Sequence, residues 1–168
     1  MMTIRSEEAH DIAGIRLVNR SAFDSPVEAD IVDSLRAQAR PFVSLVAIDT
    51  AGVVGHIAFS PMRLDVHPDV PIAGLAPMAV VPSRQRAGIG SLLVRAGLDE
   101  CRRLGFVAVV VLGHAEYYPR FGFRAASTFG LSAEIAVPDE VFMVLELQPG
   151  ALSPCQGVVR YHSAFGMA

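Results

Sequence analysis

No apolar run in this 168-residue chain approaches the roughly 18–20 residues that a bilayer span needs. The longest, Phe106 to Leu112, has the length of a buried strand. The first residues, Met-Met-Thr-Ile-Arg-Ser-Glu-Glu, lack an apolar stretch and turn acidic early, so no secretory signal is expected and the location expected is cytoplasmic. Cysteine is scarce: Cys101 and Cys155 have no metal-ligand spacing and point to no oxidising compartment. The five histidines are scattered, and no metal site is expected. A basic excess is also missing. The formal net charge is −3, whereas a nucleic-acid binder shows a basic balance or stripe, so no nucleic-acid partner is expected. No repeat, low-complexity tract or linker divides the chain, and residues 1–168 read as one domain.

What is present is apolar and ordered in pattern. Hydrophobic residues make up 52% of the chain, enough for a sizeable core, with surplus surface that fits a possible homodimer. Thr3 to Arg5 reads as a first strand, with Ser6 as the cap of a helix on which Ile12, Ile15 and Val18 or Asn19 repeat. Ser25-Pro26 opens a second helix, with Ile31, Leu35 and Gln38 along one side, and Pro41 ends it. Phe42 to Ile48 and Val53 to Phe59 read as a hairpin around the turn Asp49 to Gly52, followed by a loop or irregular hairpin from Met62 to Pro71. A strand from Gly74 to Val81, a helix from Ser91 to Leu104 stopped by Gly105, and the strand Phe106 to Leu112 make a parallel crossover unit. On that helix Ile89, Leu93, Ala96, Gly97, Cys101 and Leu104 share a face, while Arg95, Asp99, Arg102 and Arg103 point outward. A short helix from Ala115 to Arg120 and a strand from Val141 to Leu147 follow. The tail from Gln148 to Ala168 shows little periodicity, Gly157 to Tyr161 is a candidate edge strand, and Cys155 is expected near the surface. The order implies an α/β or α+β fold, a mixed sheet with helices on both faces.

The turn from Val81 to Gly90 carries the chemistry. A helix start offers free N–H groups and partial positive charge, which attract anions. Gly88 and Gly90 leave the backbone bare, and Arg84 and Arg86 add charge. The pattern points to a diphosphate cradle. A dinucleotide fold does not fit, since no third glycine follows at the required spacing, and neither Gly-Lys-Ser/Thr nor Gly-x-Ser-x-Gly occurs.

Gln85-Arg-Ala-Gly88-Ile-Gly90 resembles the Gln/Arg-x-x-Gly-x-Gly/Ala signature of the GCN5-related N-acetyltransferase (GNAT) superfamily. Tyr117-Tyr118-Pro-Arg-Phe-Gly122-Phe123 resembles its Tyr-x-x-x-Gly-Phe element, in the expected order and at the expected separation. Phe23, Glu28 and Leu35, the run Gly55 to Pro61 and Pro149 to Leu152 are similar to the YhbS-like subgroup of predicted N-acetyltransferases. The resemblance implies a GNAT fold, a mixed sheet splayed between the strand ending at Val81 and the strand Phe106 to Leu112. It implies acetyl-CoA (coenzyme A) as cofactor, its diphosphate on Gln85, Arg86, Ala87, Gly88, Ile89, Gly90 and Ser91 and its pantetheine along Met78, Ala79 and Val80. Pro77 interrupts that strand and suits a bulge with free amides. The implied activity is transfer of an acetyl group to a primary amine of a small-molecule or peptide acceptor, directly within a ternary complex. A non-catalytic acyl-CoA-binding module and an aminoacyl-tRNA-acetylating toxin are the rival readings.

Tyr118 precedes Gly122 by four residues, as the family's general-acid tyrosine does, and an ordinary phenol with a pKa of about 10 is protonated and able to donate at neutral pH. The alternative is a buried aromatic whose hydroxyl caps a neighbour. Some members carry an acidic base before the phosphate loop, but Ile72 to Val81 contains none. Glu28, His56, His114 and Glu116 remain as substitutes. His56 alternates with apolar neighbours and reads as a satisfied core histidine, and the helix dipole accounts for Glu28.

Overall fold

The computed structural model describes residues 2–153 and 155–166. The expected span 1–168 and the tail to Ala168 thus include Met1, Pro154, Met167 and Ala168, which lie outside the described residues. In chain order the elements are β1 (Thr3–Ser6), α1 (Ile12–Phe23), α2 (Val27–Gln38), β2 (Val43–Asp49), β3 (Gly52–Leu64), β4 (Ile72–Val80), α3 (Ile89–Arg103), β5 (Ala108–Leu112), β6 (Arg124–Ala125), β7 (Leu131–Ala133), β8 (Phe142–Glu146) and β9 (Gly157–Arg160). The strands form a mixed sheet in the order β1-β2-β3-β4-β5-β8-β6, with β9 beside the end of β3 and β7 beside β9. The β4–β5 and β7–β9 pairs are parallel and the others antiparallel.

Both faces of the central strands are covered, which is why β5 reads as an unbroken apolar run. Val109 and Val111 join the core beneath α3, while Ala108 and Val110 join a second core closed by Leu131, Leu152, Cys155 and Val159. α1 and α2 cover part of the other face, where Ile15 and Val32 meet Val46 of β2. On α3, Ile89, Leu93, Val94, Gly97, Leu98 and Cys101 are buried, and Arg95, Asp99, Arg102 and Arg103 are exposed as expected. Leu104 departs from its expected face and is exposed, because the helix has ended. Gly97 permits close docking, since a Cβ there would run into the Phe59 ring of β3.

Other expectations shift with tertiary pairing. β3 runs on to Leu64, into the expected loop, because Arg63 and Leu64 find Arg160 and Val159 of β9 as partners. That pairing folds the tail inward, so Cys155 is buried rather than exposed. Ser6 ends β1 instead of capping a helix, and the Asp11 carboxylate accepts from the Glu8 N–H at 2.7 Å ahead of α1. The Ser25 hydroxyl does accept from the Val27 N–H, at 3.1 Å, where α2 begins. The buried side of α2 is Ala29, Val32 and Leu35, while Gln38 is exposed.

The sheet parts where the site lies. β4 and β5 pair from Ile72 with Ala108 to Leu75 with Val111, and beyond that β4 keeps only β3. On β4, Ala76 and Pro77 fall opposite the single residue Ala58, between the Phe59–Leu75 and Ile57–Met78 pairs. Two residues facing one is a bulge, at the proline the sequence marked.

Candidate active site

The turn after β4 delivers the chain to the start of α3. Gly88 caps the helix at φ +89°, a left-handed conformation that glycine adopts without a Cβ clash, and Arg86 also has positive φ, at 63°. α3 begins at Ile89, so the N–H groups of Ile89, Gly90 and Ser91 precede its first intrahelical bond, from Leu92 N–H to the Gly88 carbonyl at 3.2 Å. A cavity of about 440 Å³ opens there, bordered by Arg84, Gln85, Arg86, Gly88, Ile89, Gly90 and Ser91, with Val80, Tyr117 and Arg120 opposite. Ala87 is exposed and does not border it. Arg84 is paired with Asp49, so its charge is partly spent, whereas no ion pair involves Arg86 or Arg120 among the described residues. A Cβ on Gly90 would meet the Tyr117 hydroxyl at 3.2 Å and the Met78 side chain at 3.5 Å.

A second cavity, of about 540 Å³, fills the splay. Leu75 to Met78 and Val80 of β4 form one wall, Val111, Leu112, Gly113 and His114 another, and Tyr118 borders it. Phe23, Glu28, Ile31 and Phe165 face in from α1, α2 and the tail. Met78 and Val80 border this cavity, while Ala79 is buried outside it, as strand alternation requires. Val80 and Gln85 border both cavities, and the Gln85 amide donates to the Val80 carbonyl at 2.9 Å, so the two share a wall.

Tyr117 and Tyr118 divide between them. The Tyr117 hydroxyl lies 3.0 Å from Ser91 Oγ, and the Arg120 guanidinium stacks 4.4 Å from its ring centre. Tyr118, 7% exposed, packs edge-on to Tyr117 and Phe123, and its hydroxyl has no hydrogen-bond partner among the described residues. Burial, with a smaller effect from Tyr117, pushes its phenol up to about 12. The expected short helix from Ala115 to Arg120 is a 3-10 turn over Tyr118–Phe121, with Pro119 in its first turn.

The chain matches the Acetyltransferase (GNAT) family over residues 11–123. It belongs to that family. It is 37% identical over 165 residues to the uncharacterized N-acetyltransferase YhbS of Escherichia coli strain K12, covering 98% of each chain. It is 40% identical over 142 residues to the uncharacterized N-acetyltransferase YjhQ of the same strain, covering 82% of this chain and 78% of YjhQ. The crystal structure of Escherichia coli YhbS in complex with CoA matches with a TM-score of 0.91 at 36% identity, covering 99% of this chain and 92% of that one. A GNAT family acetyltransferase from Brucella melitensis, solved with acetyl-CoA, matches with a TM-score of 0.81 at 39% identity, covering 98% of each.

Within this GNAT fold the four candidate bases separate. His56 is fully buried between Asn19, 3.2 Å from Nδ1, and Ser44, 2.8 Å from Nε2, as a satisfied core histidine is. Glu116 is exposed and borders neither cavity. Glu28 and His114 border the splay cavity with Tyr118. Sequence reasoning missed Arg120 at the cavity before α3. A 3-10 turn eclipses residues three apart, which would have put Arg120 beside Tyr117 had that turn been read from Pro119. It also missed Phe165, which no periodicity marks.

No helix among the described residues is long and apolar enough to cross a membrane. No group of three or more His, Cys, Asp or Glu residues among them is placed to hold a metal ion.

Proposed function

We propose that this GNAT chain is an acetyl-CoA-dependent N-acetyltransferase that acetylates a primary amine of a small molecule or peptide by direct transfer within a ternary complex. The carrying observation is the shared wall at Val80 and Gln85, which joins an anion-suited helix start to a splay ending at Tyr118. The residues fit the cofactor. Gly88 and Gly90 bare the first amides of α3, and Arg86 and Arg120 supply charge for a diphosphate. The bulge at Ala76 and Pro77 frees β4 backbone beside Met78 and Val80 for a pantetheine arm. The relatives solved with CoA and acetyl-CoA support the same choice.

Acetyl-CoA supplies an activated thioester. Tyr118 would hold a proton at its hydroxyl and give it to the departing sulfur as the carbon–sulfur bond breaks, while the neutral amine, on bonding to the acyl carbon, would shed its proton to solvent, from which Tyr118 would recover its own. The walls support direct transfer, since no Cys or Ser borders the splay cavity among the described residues. Cys101 is buried in the α3 core with its thiol pushed up to about 12 by burial.

Two measurements test the reading. Acetyl-CoA or CoA at about 100 times its Kd should stabilise the fold by about 2.7 kcal/mol, and NAD should not. An amine panel read by free-thiol release should then show transfer. The chain contains no lysine, so side-chain self-acetylation at lysine adds no background. Equal shifts with NAD sink the cofactor assignment, and binding without thiol release on any amine leaves only an acyl-CoA-binding module.

A further inference from the structure

We propose that Glu28 is the acceptor-recognition residue and that it selects a cationic primary amine, an inference that rests on the acetyl-transfer reading above. Glu28 lies in the first turn of α2 and borders the splay cavity that Tyr118 also borders. Its Oε1 is closed off from solvent and has no hydrogen-bond partner among the described residues. Leaving a buried carboxylate oxygen without a donor is costly, and functional sites are where folds keep such costs.

The helix start does not resolve it. The dipole favours a negative charge in the first turn, but the nearby Asp30 N–H is spent on the Pro26 carbonyl at 3.0 Å. The cavity does not resolve it either. No Arg borders it among the described residues, and its other polar side chains are Gln85, His114 and Tyr118. The walls nearest in chain order, Phe23 and Ile31, are apolar, as is Phe165 from the tail.

The missing partner must therefore come with the ligand. A primary ammonium brings a positive charge and three donors. A neutral alcohol brings one donor and no charge. A carboxylate would meet Glu28 as a like charge and find no guanidinium to receive it. Glu28 thus sets the charge of the acceptor, while the aromatic walls accept an apolar body beside the amine.

The test uses binding, so it does not depend on guessing the natural acceptor. Phenethylammonium, phenethyl alcohol and phenylpropionate are titrated into CoA-saturated wild-type protein and into CoA-saturated Glu28→Gln. Wild type should bind phenethylammonium in preference to the other two. Glu28→Gln should hold CoA unchanged but bind phenethylammonium about 10–100-fold more weakly, the worth of a hydrogen-bonded charge. Its ligand-free melting temperature should not fall, since the unpaired charge is gone, whereas a structural role for Glu28 would lower it. Equal phenethylammonium binding by the variant, no preference in wild type for the ammonium over the alcohol, or no ammonium binding at all overturns the proposal. Failure of wild type to bind CoA overturns the acetyl-transfer reading itself.

Discussion

At the scale of single residues, Tyr118 combines a buried ring with a hydroxyl that has no hydrogen-bond partner among the described residues, at a cavity wall. Those two facts weigh against a packing residue whose hydroxyl caps a neighbour. They also move its ionisation: an ordinary phenol would lose its proton near pH 10, but burial raises this one to about 12. Tyr118→Phe should hold acetyl-CoA at near wild-type affinity while kcat falls by about 10²–10⁴-fold, the usual worth of a positioned acid. The raised pKa keeps the phenol protonated across an assay from pH 7 to 10, so a basic limb in that window must come from another group and should persist in the variant. Near wild-type kcat in Tyr118→Phe, measured where chemistry limits the rate, returns Tyr118 to packing. Gly90 makes a second case, because a Cβ there already crowds Tyr117 and Met78. Gly90→Val should lose acetyl-CoA binding, read by calorimetry, while far-ultraviolet circular dichroism stays unchanged. A folded variant with wild-type affinity would mean that the diphosphate lies elsewhere.

At the scale of elements, α3 both carries the helix start that borders the cavity lined by Gly88 and Gly90 and closes the main core. Its alternation of buried and exposed residues was readable because a 3.6-residue period survives in sequence. Its closeness to β3 was not readable, because Gly97 looks the same whether it spaces a helix or merely interrupts it. In the structure a Cβ at Gly97 would penetrate the Phe59 ring, and Phe59 is fully buried. Alanine in place of glycine gains at most about 1 kcal/mol of helix propensity. Overpacking a rigid core costs about 1–3 kcal/mol and more when backbone must shift. The clash wins, so Gly97→Ala should lower the melting temperature by several degrees, at about 2–4 °C per kcal/mol, and adding Phe59→Leu should recover part of the loss. A more stable Gly97→Ala would show that α3 and β3 are not in contact at this point. Gly113 repeats the arrangement at the site, where a Cβ would stand 2.5 Å from the Tyr118 ring. Gly113→Ala should therefore cut turnover more than it cuts stability, measured as kcat against melting temperature.

At the scale of the whole molecule, a buried polar chain ties α1 and α2 to the sheet. Asn19 of α1 meets His56 of β3, His56 meets Ser44 of β2, and Ser44 donates to Glu7, which also accepts from Arg36 of α2. Burial lowers His56 to about 4, offset in part by Glu7 and reinforced by Arg36. Burial raises Glu7, but the Arg36 and Ser44 bonds outweigh it and leave the carboxyl below its ordinary value. A histidine held below its unfolded pKa gives stability that is complete above about pH 6.5 and is lost as pH falls toward 4, where only the unfolded chain takes the proton. The loss is on the order of 3 kcal/mol at its full extent. Glu7 loses its contribution at lower pH still, so the window from pH 6.5 to 4.5 belongs mainly to His56. Urea midpoints across that window should fall in the wild type and stay nearly flat in His56→Gln, which does not titrate. Parallel slopes in the two proteins would remove His56 as the cause.

The sequence alone determined whatever depends on neighbours along the chain. The apolar periods of α3 and β5, the glycines at the start of α3 and the proline on β4 are local signals, and they placed a strand, a bulge and, within two residues, a helix start. The tertiary structure decided what depends on distant segments meeting. β3 lengthens because β9 arrives beside it, Cys155 turns inward for the same reason, and Phe165 reaches the splay cavity from the far end of the chain. Glu28 shows the difference most sharply. Its position in the first turn of α2 is written in sequence and is explained there by a helix dipole. Only the packed structure shows that its buried oxygen lacks a donor among the described residues beside the wall that carries Tyr118, because an unsatisfied group is defined by everything that surrounds it.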